Sequence, residues 1–436
     1  MSDKGFSVIT ENVAGIDIGT EKYHASIDGQ TVKVFGTNTP STIDLIAYLK
    51  ASGITDVSME ATGVLWVPLF DMLESQGIKA HLLNGAHAKN IPAQKSDYKD
   101  CRWLRKVLMY GLVRDSFVPE ANIRELRVYV RERDGSIESA AESIQHMQKA
   151  FELMNVKLHN VLSDTMGVSG TRIIEAVIKG EKNAHRLSRL AHSSITDKKL
   201  PELEAALTGN YKEEYVFLLE QAYEKYNFIQ KQIRKCDKKI EKLLKKMAKN
   251  MPEPPKTASK PVRHNQPQIE NLHDDLMRIL NGRQATVLPG IADKTVMKLI
   301  SELGTDFSIW PSDKHFVSYI GLSPRKYQSG KMNRTHRMPV KSNAGQIFRE
   351  CALSISASKH IALKGFYNRI KSRSGTKTAL KATARKLAVL FYRLMTIGME
   401  YVEMGLKQYE EKYKERVLKN IEKKAREFGY VLQVQN

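Results

Sequence analysis

The sequence predicts an α/β domain at the front of the chain and a mainly helical remainder. Three observations lead there. Between residue 13 and about 120, short apolar runs alternate with helical stretches. From about 121, long segments rich in Glu, Lys, Arg, Leu and Ile carry apolar residues at helical spacing. A proline-dense polar stretch over 251–268 interrupts them.

Taken in order, the strands are expected at 13–18, 23–28, 31–36, 54–60 and 78–83, with helices near 41–52 and 66–76. The first three runs lie close together, as in an antiparallel meander; the later ones alternate with helices. A first domain over 1–122 follows. In 123–250, Leu218, Leu219, Tyr223, Tyr226, Ile229, Ile233, Ile240 and Leu244 recur at helical spacing. Two long helices, within 121–165 and 211–250, are expected to pair as a coiled coil or an antiparallel hairpin. Residues 251–270 form a proline-rich linker, because proline removes backbone donors and fixes φ. A helical C-terminal domain is expected over 271–406, broken by a polar, basic loop at about 323–345. Residues 407–436 read as a charged tail helix.

Lys and Arg number 69 against 48 Asp and Glu, a net charge of +21. Such a field favours a polyanion through counterion release from phosphates. No apolar run is long enough to span a bilayer, and neither a signal peptide nor a lipidation motif is recognisable. Nucleic acid, not membrane, is the expected partner. Cys101, Cys236 and Cys351 have neither zinc-ligand nor disulfide spacing, which fits a reducing cytoplasm.

Four acids carry the chemistry. Asp17 lies in Val13-Ala14-Gly15-Ile16-Asp17-Ile18-Gly19-Thr20, a strand running into a glycine turn. Glu60 closes the apolar run from Ile54. Asp97 and Asp100, three residues apart, share one face of a helix turn. Each acid alone reads as an ordinary surface or turn residue, and Asp28 and Asp56 are nearby decoys. The order is informative: an acid on a first strand, one on a later strand, then a pair on a helix. It is the ribonuclease-H-like layout, in which carboxylates hold Mg²⁺ for phosphoryl transfer.

A second candidate is the basic loop, Tyr319-Ile320-Gly321-Leu322-Ser323-Pro324-Arg325-Lys326-Tyr327-Gln328-Ser329-Gly330-Lys331, followed by Arg334, His336, Arg337 and Lys341. Its cations suit a phosphate. By spacing alone, Ser329 reads as a hydrogen-bonding hydroxyl in a phosphate loop; no carboxylate or paired histidine marks a base, and His336 is unsupported in that role. The turn at Leu288-Pro289-Gly290-Ile291 suits either phosphate contact at a helix N-terminus or plain packing. Downstream, Arg369, Lys371 and Arg373 lie in a basic tract with Phe366, Tyr367 and Tyr392 interleaved. It reads as a phosphate-contacting surface, or as a solvated helix face over a core.

These strings together resemble the DEDD-type insertion-sequence transposases, a family of bridge-RNA-guided serine recombinases. The resemblance rests on Gly15-Ile16-Asp17-Ile18-Gly19, Met59-Glu60-Ala61-Thr62-Gly63, Lys95-Ser96-Asp97-Tyr98-Lys99-Asp100, Leu288-Pro289-Gly290-Ile291, Gly321-Leu322-Ser323-Pro324, Gln328-Ser329-Gly330 and the run from Asn343 to Arg349. It implies a RuvC-like domain, a coiled coil and a helical transposase domain. It places the catalytic, Mg²⁺-binding acids on Asp17, Glu60, Asp97 and Asp100, and the nucleophile on Ser329, against the reading from spacing. It implies a guide (bridge) RNA, target and donor DNA, a homo-oligomer (dimer or tetramer) with a composite site, and work in the bacterial cytoplasm, at the nucleoid when active. Arg325, Lys326, Lys331 and Arg334 are then candidates for balancing phosphate charge. Two alternatives are a metal-dependent junction resolvase that uses water, and a non-catalytic RNA- or DNA-binding scaffold.

Overall fold

The computed structural model describes residues 7–61, 63–83, 97–112, 115–192, 199–259, 264–329, 332–336, 342–358 and 361–431. They fall into two compact units, 1–118 and 119–436.

The first unit is built on a five-stranded mixed sheet in the order β3-β2-β1-β4-β5. The strands are β1 (Val13–Ile18), β2 (Lys22–Ser26), β3 (Lys33–Gly36), β4 (Asp56–Glu60) and β5 (Lys79–Leu83). β1, β2 and β3 form the expected meander, and β4 and β5 run parallel to β1. Period-two alternation decides the faces. Ala14, Ile16 and Ile18 of β1, Tyr23 and Ala25 of β2 and Val57 and Met59 of β4 pack with helices α1 (Thr39–Ala51) and α2 (Trp66–Ser75) through Leu45, Leu49, Leu69 and Leu73. The opposite face carries α3 (Asp97–Met109), through Leu104 and Val107 against Leu83. Helices are thus layered on both faces, as parallel strands require.

The second unit is mostly helical. A long α4 (Ala121–Leu153) leads through short α5 (Leu158–Val161), α6 (Val168–Ile178), α7 (Ala184–Ser188) and α8 (Leu200–Ala206) to a long α9 (Glu213–Ala248). α4 and α9 lie antiparallel, because contacts climb one helix as they descend the other. Arg133 meets Asp237, Ala140 meets Ile229 and Ile233, and Met147 and Phe151 share a core with Leu219 and Tyr223. The short helices close that end of the pair, with Ile173, Ile174, Leu187 and Leu203 in the same core. There follow α10 (Leu272–Ile279), α11 (Asp293–Leu303), α12 (Asp313–Tyr319), a hairpin of β6 (Arg325–Ser329) and β7 (Met332–His336), α13 (Asn343–Ala357), α14 (Ile361–Thr396) and α15 (Met399–Glu427). An aromatic cluster of Phe307, Trp310, Phe316, Phe348, Phe391 and Tyr392 ties α12, α13 and α14 together.

The proline-rich stretch forms no helix or strand among its described residues, yet hydrogen bonds fasten it to the helices. Thr257 Oγ1 lies 2.8 Å from His273 Nε2, whose Nδ1 lies 2.7 Å from Asp293 Oδ1, and the Ser259 hydroxyl donates to Asp293. Asn265 and Gln268 join a buried ion pair. Arg133 Nε donates to Asp237 Oδ1 at 2.5 Å, Arg133 Nη2 donates to the Asn265 carbonyl and the Gln268 amide donates to Asp237 Oδ2. Both charged side chains are at most 2% exposed. Arg133→Met alone should therefore cost about 3–5 kcal/mol, by stranding the Asp237 carboxylate. Arg133→Met with Asp237→Leu should recover most of that loss in urea unfolding. A double variant as unstable as the single would show that the pair itself, and not the stranded charge, carries the stability.

Candidate active site

Asp17 stands one residue before the carboxyl end of β1, and Glu60 is the last residue of β4. The parallel register pairs Gly15 with Ser58 and Ile16 with Met59, so the next step sets Asp17 beside Glu60. Adjacent strands lie about 4.8 Å apart, which makes the two acids neighbours on the sheet. Both are half-buried and, by alternation, lie on the face covered by α3.

α3 comes unusually close to this face. A Cβ built on Gly15 would lie 2.0 Å from the Cys101 carbonyl oxygen and 2.5 Å from the Arg105 amide, so no side chain larger than hydrogen fits there. Arg105 Nε also donates to the Val13 carbonyl at 2.9 Å. Contact therefore moves from Arg105 to Cys101 as the strand advances from Val13 to Gly15. Two strand residues rise about 6.6 Å and four helical residues about 6 Å. The next step brings Asp17 to the level of the Asp97 backbone at the start of α3. Burial pushes the Cys101 thiol up to about 11, and the negative charge of Asp17 adds to the shift, as this alignment requires. Asp100 precedes Leu104 by one turn. Leu104 packs on Leu83, and Leu83 is in register with Glu60. Asp100 thus overhangs the strand ends on the Glu60 side. Sequence reasoning missed His24. It is buried, lies directly opposite Asp17 on β2 and shares its face. The signal was the alternation of Tyr23 and Ala25 toward the core with His24 and Ser26 away from it.

The fold draws Asp17, Glu60 and Asp100 to one end of one face. The side chain of Asp97 lies outside the described residues. Among the described residues no group of three or more His, Cys, Asp or Glu is arranged as a metal site. The donor set is nevertheless all carboxylate oxygen, which suits a hard divalent cation that keeps some of its waters.

The decoys have other work. Asp28 accepts the Gln30 and Thr31 amides in a turn, and these bonds hold its carboxyl below the usual range. Asp56 lies 2.8 Å from Nε2 of buried His81, and Asp115 lies 2.7 Å from its Nδ1. Burial opposes charge on His81, but the two carboxylates outweigh it and raise its pKa above the ordinary 6.5. Burial likewise opposes charge on Asp56, but the bonds from His81 and Thr55, with the positive charges of His81 and Lys79, together outweigh it and hold Asp56 below its ordinary 3.8. The His81 contribution to stability is therefore complete below pH 6.5 and is lost as pH rises through the raised value. The Asp56 contribution is lost as pH falls through its depressed value. His81→Gln should flatten the alkaline loss of hydrogen-exchange protection in β5. Protection that still falls with pH in the variant would assign the loss to another group.

In the second unit, 323–345 holds the β6–β7 hairpin where a loop was expected. The strands pair Tyr327 with Arg334 and Ser329 with Met332. Only two positions separate the strands in sequence, and a glycine in so short a gap is a hairpin signal that the density of cations obscured; residues 330 and 331 themselves lie outside the described residues. Ser329 is the last residue of β6, at the turn end of the hairpin. The hairpin is mounted between α12 and α13, which touch closely: a Cβ on Gly345 would lie 2.1 Å from the Ile320 carbonyl oxygen. Arg325, Lys326 and Arg334 are on its strands, and their side chains, like that of Ser329, lie outside what is described. Lys331, Arg337 and Lys341 lie outside the described residues. Arg369, Lys371 and Arg373 are exposed on α14. Tyr367 and Tyr392 are buried, and the Tyr392 hydroxyl donates to the Trp310 carbonyl at 2.6 Å, so those two rings belong to the core.

The profile of a DEDD transposase family matches residues 14–155, and that of the transposase IS116/IS110/IS902 family matches 283–368. The chain belongs to the IS110 family of transposases. The first match contains all four acids and the second contains Ser329. Two curated relatives of this IS110-family chain are the pilin gene-inverting proteins of Moraxella bovis and Moraxella lacunata, each 30% identical over 148 residues. Each alignment spans 31% of this chain and 45% of the relative. Among the described residues, no helix of this chain is long and apolar enough to cross a membrane.

Proposed function

We propose that this chain is a site-specific DNA recombinase that moves or inverts a mobile segment, guided by a structured RNA, through a covalent phosphoserine intermediate. The observation that carries the reading is the register of Asp17 beside Glu60 with Asp100 over the strand ends, in a chain matched over 14–155 and 283–368 by IS110-family profiles. The sheet order with three antiparallel and two parallel strands supports a RuvC-like domain. The relatives named for gene inversion support strand exchange over simple cleavage. RNA guidance rests on family resemblance alone, as does assembly into a homo-oligomer that combines acids and serine from different subunits.

In the proposed chemistry, Ser329 Oγ attacks a DNA phosphorus. An Oγ–P bond forms, one P–O bond to the DNA chain breaks, and the departing oxygen takes a proton. Attack by the hydroxyl of another strand reverses these steps, so bond energy is conserved. Asp17, Glu60, Asp97 and Asp100 would hold Mg²⁺. When bound, that cation supplies Lewis-acid stabilisation of the phosphoryl oxygens. Arg325, Lys326, Lys331 and Arg334 would balance the charge of the pentavalent transition state. Incubating the protein with Mg²⁺, candidate RNA and DNA should give a protein–DNA adduct that survives denaturation. Mg²⁺-dependent cleavage with no adduct would favour the resolvase reading, in which water is the nucleophile.

A further inference from the structure

α14 is a folded-back pair of helices whose tip is chemically distinctive. The ammonium of Lys386 lies 4.9 Å from the centre of the Phe366 ring, and the Arg369 guanidinium lies 5.6 Å from the same ring. In a straight helix, residues 366 and 386 would be about 30 Å apart. The chain reverses at Gly375, whose φ of 78° is the left-handed conformation that glycine adopts without strain. α15 braces the first limb: a Cβ on Gly365 would lie 2.2 Å from the ring of Tyr413.

The reversal leaves residues 371–378 exposed at the tip, Lys371-Ser372-Arg373-Ser374-Gly375-Thr376-Lys377-Thr378. Three cations and four hydroxyls alternate there, with no apolar and no acidic residue. The tip also lies within a longer bias. Between Glu350 and Glu400 there is no Asp or Glu, while ten Lys and Arg occur. The fold keeps these cations close together. Burial, with Arg369 adding to it, pushes the Lys386 ammonium down to about 8.

We infer that the tip of the α14 hairpin, Lys371 to Thr378, binds the sugar–phosphate backbone of the nucleic acid, independently of its sequence. Cations interleaved with hydroxyls are the groups that contact phosphates. A tip that entered a membrane would carry aromatic or aliphatic wedges, and this one has none. A helical hairpin about 20 Å across is also too broad for a major groove about 12 Å wide, so the tip straddles backbones and does not read bases. The inference rests on nucleic acid being the ligand of this chain, but it can fail separately from that reading.

The test uses the full chain and its Lys371→Ala/Arg373→Ala/Lys377→Ala variant. Binding to a short duplex DNA of arbitrary sequence, and to an RNA duplex of the same sequence, is measured over a range of salt concentrations. The variant should bind at least about tenfold more weakly at low salt. Its log–log salt slope should be shallower by about 2 to 3, or roughly 0.9 for each phosphate that is no longer neutralised. Weakening on one duplex and not the other identifies which nucleic acid the tip holds. The charge-conserving variant Lys371→Arg/Arg373→Lys/Lys377→Arg should bind as the wild type does. If the wild type binds with a steep salt slope and the alanine variant keeps that slope, the tip assignment is overturned while the proposed function stands. If the alanine substitutions weaken binding to phosphatidylserine vesicles but not to either duplex, the tip is a membrane contact and the inference is wrong. If the wild type binds no nucleic acid, both readings fall together.

Discussion

Replacing Ser329 with alanine is expected to abolish the covalent DNA adduct and all strand exchange, while leaving nucleic-acid binding in place. A methyl group has no lone pair with which to attack phosphorus. Loss of a nucleophile in covalent catalysis costs on the order of 10⁴–10⁶-fold in rate. The neighbouring hydroxyl of Ser323 lies outside the hairpin, before Pro324, whose ring restricts the local backbone, so it cannot substitute by a small shift. The β6–β7 hairpin holds Ser329 at its turn end through pairing with Met332, a backbone arrangement that alanine preserves. Binding should therefore persist. Ser329→Cys should retain a trace of activity through its thiolate. Digesting a trapped wild-type complex should leave nucleotide on the peptide containing Ser329. Normal Mg²⁺-dependent cleavage by Ser329→Ala would make water the nucleophile and overturn the recombinase mechanism. An adduct on Ser323 or Tyr327 would preserve the mechanism and move the residue.

Asp17→Asn is expected to eliminate recombination with almost no loss of stability. Asp17, Glu60 and Asp100 are half-buried at one end of one face, so without a cation their charges repel. Removing one charge should change stability by no more than about 0.5 kcal/mol, the usual range for sites outside a packed core. It should, however, remove an oxygen ligand with full negative charge. A cation that binds only the folded chain raises its melting temperature by mass action. Added Mg²⁺ should thus raise the melting temperature of the wild type and raise that of Asp17→Asn much less. Glu60→Gln and Asp100→Asn should behave alike. Full recombination by any two of these variants, or an equal Mg²⁺ shift in wild type and Asp17→Asn, would remove the acids from the metal-binding role.

Much of the first unit was legible because its signals are local. The meander, the alternation that places Asp17 on one face and Ile16 on the other, and the glycine turn after β1 all follow from period two and from residue type. The expected strands agree with the observed ones to within a few residues at their ends. The long antiparallel pair of α4 and α9 was legible for the same reason, as spacing along each helix marks a buried stripe. The hairpin was not legible because the density of cations hid two strands that are only two positions apart in sequence. The interleaved aromatics Tyr367 and Tyr392 were ambiguous because sequence spacing does not say which side of a helix meets a core.

By itself the sequence determined the net charge and the placing of the acids: a charge of +21, which favours a polyanion, and Asp17, Glu60, Asp97 and Asp100 where strands and a helix begin or end. Only the tertiary structure decided which acids are neighbours. Strand register set Asp17 beside Glu60, and the absence of a Cβ at Gly15 let α3 come close enough to bring Asp100 over the strand ends. It also gave Asp56 to His81, uncovered His24 opposite Asp17 and folded α14 back at Gly375. Each of these depends on contacts between residues tens of positions apart or on a reversal of direction. A local pattern records the propensity of each segment, but which segments meet is settled by the packing of the whole unit.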